Sequence, residues 1–176
     1  MRQRIFIISV IAAVAMVAAT AALAATLTTT ATVTGTAGIS LNLPSNPAIS
    51  TIIDGTDQTV SYSPILGVID ARGLGSGWNL QISATTFTDG ASHTLAPGTV
   101  TANAQGCHAG STCTAATNSI VPPLGITTTA AKFFNAAVNS GLGKIDVTPT
   151  IQVSIPGNSY AGTYTSTVTL AATTGP

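Results

Sequence analysis

Between Trp78 and Ala84 the chain alternates apolar and polar side chains without a break: Trp78, Leu80, Ile82 and Ala84 against Asn79, Gln81 and Ser83. Successive side chains leave opposite faces of a strand, so this order suits an extended segment with one face buried. Ile151, Val153 and Ile155 alternate in the same way with Thr150, Gln152 and Ser154. In the closing stretch Tyr164, Val168 and Leu170 face one way, and Thr163, Thr165, Thr167 and Thr169 the other. Thr59–Ser63, with Val60 and Tyr62 on one face, and Gly67–Arg72 are shorter candidates. The β-branched density of Thr26–Gly38 also favours extended backbone. Pro44, Pro47, Gly55 and the run Gly75-Ser76-Gly77 punctuate the intervals as turns. One stretch departs from the pattern. AAKFFNAAV, between Thr129 and Asn139, is expected to form two helical turns stopped by Gly141. The pattern predicts an all-β fold, an antiparallel β-sandwich or barrel-like sandwich with one short helical segment, after an N-terminal signal peptide.

The signal peptide is read from three features. Arg2 and Arg4 supply a positive start, an apolar run extends from Ile5 to about Ala19, and Ala22-Leu23-Ala24 matches the small-x-small pattern of signal peptidase. Cleavage after Ala24 assigns residues 1–24 to the signal and 25–176 to a single domain. The alternative is an uncleaved anchor, since Ile5–Ala25 as a helix could span the ~30 Å of a hydrocarbon core. A membrane is a partner only in that case, and either way the rest of the protein lies outside the cytoplasm.

Composition narrows the function. With 45% hydrophobic and only 6% charged residues, the chain is too apolar for intrinsic disorder. Beyond the signal, Arg72, Lys132 and Lys144 stand against Asp54, Asp57, Asp70, Asp89 and Asp146, a formal charge of −2. No polyanion-binding surface can be built from three cations, so nucleic acid is excluded as a partner. Binding must rest on shape, stacking and hydrogen bonds.

Candidate chemistry is sparse. Cys107 and Cys113 are the only cysteines, and in an exported chain the pair reads first as a disulfide. His108 lies between them, but two thiols and one imidazole leave a metal site one ligand short. No metal or cofactor is expected. No G-x-S-x-G elbow frames a serine, and without Glu a glycosidase would draw both carboxylates from five Asp residues. Asp54, Asp57 and Asp89 stand in Gly-containing turns, where Asp commonly shapes the backbone, so no enzyme is expected. Asp70 and Arg72 share a face of their strand candidate, as a ligand anchor or as a brace for the following glycine turn. Trp78, the only tryptophan, could stack on sugar faces or pack inside the sandwich with Leu80 and Ile82.

The run DARGLGSGWNL, from Asp70 to Leu80, resembles the first motif of the WxL domain, a surface module of Gram-positive bacteria. The likeness continues through Gln81 to Phe87 and returns in NSYAGTYTSTVTLAATTGP, Asn158 to Pro176, which is similar to the family's closing segment. It covers most of the chain from about Thr26 onward. The resemblance implies an exported β-rich domain that associates non-covalently with the cell wall through peptidoglycan, with Trp78 and Leu80 as the W and L of the motif. The family's second W-x-L falls at Leu170-Ala171-Ala172, where this chain has no tryptophan. The chain ends at Gly175-Pro176 without a sorting motif, so retention is expected to depend on the folded domain.

The expected function is a non-enzymatic, secreted cell-surface domain whose wall-binding motif comprises Trp78, Leu80, Asp70 and Arg72. Its expected partners are peptidoglycan or an associated wall polymer, with other surface proteins as further candidates. The alternative is a self-assembling structural subunit, pilin-like or from a surface layer. That reading is motivated by Thr-rich terminal strands lacking the Lys and Pro guards of exposed edges.

Overall fold

The computed structural model describes residues 30–176, and the account that follows concerns the compact unit Val33–Pro176. The expected signal peptide, residues 1–24, lies outside the described residues. Eleven strands follow in order: β1 (Ile39–Asn42), β2 (Gln58–Tyr62), β3 (Leu66–Asp70), β4 (Trp78–Ala84), β5 (Phe87–Thr88), β6 (Thr94–Leu95), β7 (Thr99–Cys107), β8 (Leu124–Gly125), β9 (Ala131–Ala136), β10 (Gly143–Ile155) and β11 (Val168–Thr174). All pairings are antiparallel. Among the described residues there is no helix, so none is long and apolar enough to cross a membrane.

The larger sheet runs β1-β3-β10-β7-β8, with β2 also on β10, and the smaller runs β11-β4-β9. The thirteen-residue β10 organises the larger sheet. One of its edges takes β7, while β3 (opposite Gly143–Val147) and β2 (opposite Ile151–Ile155) follow one another on the other edge. Thr148–Thr150, between those two partners, pairs only with β7, so Pro149 sits where the second ladder is interrupted. Leu66 and Val68 of β3, Val100 of β7, and Ile145, Val147 and Ile151 of β10 meet Trp78, Leu80, Ile82, Phe133 and Phe134 of the smaller sheet in one core.

The all-β antiparallel class is as expected, and β4 spans Trp78–Ala84 as its alternation predicts, with Asn79 of the second face buried as well. Four expectations need correction. The segment expected to be helical is strand β9, paired with β4. Its consecutive Phe133 and Phe134 are both buried, which simple alternation forbids. The register explains it: Leu80 faces Phe134 and Gln81 faces Lys132, so Phe133 is the extra residue of a β-bulge. The Gly67–Arg72 candidate is shifted to Leu66–Asp70, because the chain turns at Arg72-Gly73. The described part of Thr26–Gly38 contains no strand up to Ile39, its main tie being the bond from Thr36 N–H to the Ala71 carbonyl (2.9 Å). The last strand begins at Val168, with Thr165 making only an isolated bridge to Thr88.

Candidate functional site

The residues of DARGLGSGWNL occupy one pole of the domain, where β3 ends and β4 begins. Asp70 closes β3, and Arg72 turns back onto it. The guanidinium donates from Nε to Asp70 Oδ1 and from Nη2 to Oδ2, both at 2.8 Å, and Nη2 also donates to the Gly77 carbonyl at 2.9 Å. The Arg72 amide adds a longer bond to Oδ1 (3.2 Å). Both side chains are buried. The hydrogen bond from Arg72 holds the Asp70 carboxyl below its ordinary range, and the carboxylate in turn raises the guanidinium. The pair therefore stays ionised, fork to fork, inside the protein.

Between Arg72 and Trp78 the backbone is left-handed at Gly73, Gly75 and Gly77. At Gly77 a Cβ would also lie 2.5 Å from the Ala136 carbonyl oxygen, so only glycine fits there. The Gly75 carbonyl accepts from the amide of Asn139, itself left-handed, and joins this loop to the β9–β10 turn (2.7 Å).

Trp78 is completely buried. Its indole N–H donates to the Gly141 carbonyl (2.8 Å), and its ring stacks on Phe134 with centroids 5.8 Å apart. Leu80 is equally buried, opposite Phe134 on one side and Ala172 on the other. Asn79, on the other face, is buried by bonds that tie down the closing segment. Its Nδ2 donates to the Gly175 carbonyl (2.7 Å), and its Oδ1 accepts from Thr173 Oγ1 (2.8 Å). The Gly175 amide in turn donates to the Gly77 carbonyl (3.1 Å).

The structure thus brings Asp70, Arg72, Trp78 and Leu80 together, but inside the domain. Of the two readings of Asp70–Arg72, the geometry is that of a brace. Of the two for Trp78, it is the core packing. The exposed large apolar side chains of this pole are Leu74, on the glycine turn, and Val138, on the turn bonded to it. Sequence reasoning passed over both. A lone apolar residue flanked by Gly73 and Gly75 was the available signal for Leu74, since such a turn has little room to hide a side chain.

A family model described as WxL domain surface cell wall-binding matches residues 35–176. The chain belongs to the WxL domain family. No curated protein and no solved structure shows a significant match. This is therefore a surface cell wall-binding domain, located outside the cell at the wall, of a binding family rather than an enzyme family. In this WxL domain the Trp78 strand and the closing strand are neighbours, because β4 pairs with β11. Leu170 and Ala172, at the second W-x-L position, lie opposite Ile82 and Leu80 and pack half-buried against the core.

Elsewhere on the WxL domain, Cys107 and Cys113 form the expected disulfide at the end of β7. Within that loop His108 Nδ1 contacts both Asp146 oxygens at 3.0 Å. The other histidine, His93, bonds through Nδ1 to Asp89 Oδ2, which holds the Asp89 carboxyl below its usual range. Among the described residues no serine hydroxyl bonds either ring, and no three His, Cys, Asp or Glu side chains converge as metal ligands. Asp54 and Asp89 shape turns as expected, accepting from the amides of Thr56 and Ala91. Asp57 instead accepts from the Gly157 amide, across the chain.

Proposed function

We propose that this domain holds to peptidoglycan non-covalently, and that Asp70, Arg72, Trp78 and Leu80 serve this by fixing the fold rather than by touching polymer. The observation that carries the second half is burial: all four side chains lie in the interior, with the indole N–H already bonded to Gly141. A polymer could reach the indole only if the Gly141 turn were displaced. Support for the first half comes from the family match and from the charge, which leaves little for bulk electrostatics.

The test is co-sedimentation of the full chain with peptidoglycan stripped of its secondary polymers, in plain buffer and again in high salt. Retention in both is expected, because contact by shape is insensitive to screening. Loss in plain buffer refutes the peptidoglycan assignment, and loss in salt alone refutes the charge argument. A Trp78→Phe variant keeps the ring but drops the bond to Gly141. It should melt earlier yet still sediment wherever it is folded; a fully folded variant that fails to sediment would make Trp78 a contact residue.

A further inference from the structure

At the pole opposite Trp78, beyond the far ends of β4 and β10, the surface opens into a cleft of about 620 Å³. This volume is within the range of small-ligand sites, roughly 300–1,000 Å³. The segments 49–53 and 159–164 line it together with Val60, Phe87, Val153 and Ile155. A second hollow of about 230 Å³ shares Tyr160 and Tyr164 with it and includes His93.

The aromatic side chains here are held in place before any ligand arrives. Tyr160 is 64% exposed, yet its ring stacks on the His93 imidazole with centroids 3.9 Å apart. The imidazole is itself fixed by Asp89, and the Tyr164 hydroxyl donates to the Tyr160 carbonyl at 3.0 Å. An exposed aromatic whose position is already fixed loses little freedom on binding.

Charge selects the ligand. No Asp, Glu, Lys or Arg side chain lines either hollow, and the His93 imidazole of the second is already engaged by Asp89. Arg72 is consumed by Asp70, Lys144 stands at the motif end of β10 opposite Ile69, and Lys132 donates to the Pro176 carbonyl. The carboxylates nearest in sequence, Asp54 and Asp89, adjoin the lining segments. A polyanionic wall polymer finds no lysine or arginine here. An uncharged N-acetylated sugar fits on three counts. Its C–H face is attracted to the electron-rich face of tyrosine, its acetamido methyl suits Phe87 and Ile52, and its hydroxyls can meet Ser50, Thr51 and Ser159.

We propose that this cleft seats the uncharged N-acetylated hexosamine units of a wall glycan strand against Tyr160 and Tyr164. The proposal rests on the peptidoglycan reading and places the contact at the pole opposite the family motif.

The test is isothermal titration of the full chain with an N-acetylglucosamine hexamer and, separately, with polyglycerol phosphate. The hexamer should bind and the phosphate polymer should not. Tyr160→Ala should weaken hexamer binding about tenfold, Tyr160→Phe should retain it, and Leu74→Ser, at the other pole, should leave it unchanged. Ile52→Asp, at a position 85% exposed and so without consequence for folding, should also weaken it, and this variant decides the matter if Tyr160→Ala does not fold. The assignment is overturned by absence of hexamer binding, by binding indifferent to both cleft variants, or by tighter binding of the phosphate polymer. A chain that sediments with stripped peptidoglycan but ignores the hexamer loses the cleft and keeps the wall. One that binds the hexamer through Tyr160 but does not sediment keeps the cleft as a glycan site and loses the peptidoglycan reading.

Discussion

Replacing Arg72 by Met refills most of the side-chain volume while removing three donated bonds: two to Asp70 and one to the Gly77 carbonyl. What remains is a carboxylate with a fully buried side chain, holding one long bond from the residue 72 amide. Removing one partner of a buried pair costs about 3–5 kcal/mol, chiefly because the other is left without compensation. With a urea slope of about 2 kcal/mol/M, the unfolding midpoint should fall by roughly 2 M. Trp78 fluorescence reports the transition, since the sole indole is buried when folded. The dependence on pH supplies a sharper check. In the native protein Asp70 is held below 3.8, so its contribution to stability is complete above about that pH and is lost as pH falls through the lowered value. In Arg72→Met, burial without a cation pushes the same carboxyl up, so the folded state takes up a proton first and gains stability as pH falls towards 4. The gap between variant and parent should therefore narrow on acidification, and Asp70→Asn combined with Arg72→Met should be more stable than Arg72→Met alone. A gap under about 1 kcal/mol, or one that does not change with pH, refutes the brace.

Two further outcomes are expected. At Gly141 the backbone is left-handed, and a Cβ would lie 2.5 Å from the Ala136 Cβ and 2.6 Å from the indole nitrogen. Gly141→Ala should thus cost about 2–5 kcal/mol, whereas Gly73→Ala, left-handed in open space, should cost about 1–2, both read as urea midpoints. Replacing both Cys107 and Cys113 by Ser releases a loop of separation 6 and should remove about 2 kcal/mol, a fall in melting temperature of about 4–8 °C by calorimetry. No change would mean that the short loop is already ordered by the His108–Asp146 contact.

The sequence showed most clearly the strands in which apolar and polar side chains alternate between the faces, Trp78–Ala84 and the second half of β10. The first half of β10 lay hidden behind Pro149, which reads as a breaker until the gap between β3 and β2 is known to lie beside it. Strand β9 was misread because Ala-rich composition favours helix, while a bulge and burial of four consecutive residues erase the period of two. Strand β7 carries TANAQG, with few apolar residues, and is held by β10 rather than by its own pattern. At the motif, residue types left ligand anchor and brace both open, because the second anchor of Arg72, at the Gly77 carbonyl, depends on how the glycine turn folds back. The cleft was not legible at all, because 49–53 and 159–164 are distant in sequence and no pattern in either points to the other.

Thr36 bonds to Ala71 and Gly175 bonds to Gly77, so the polypeptide enters and leaves this β-domain beside the same glycine turn. Direction of pull then matters. Tension between the two ends would part the ladders rung by rung, as a zip opens. Tension between either end and a strand of polymer gripped at the far pole would run lengthwise along β4 and β10, loading many cross-strand bonds at once. Held at the cleft, such a domain would resist being dragged off a surface better than being prised apart.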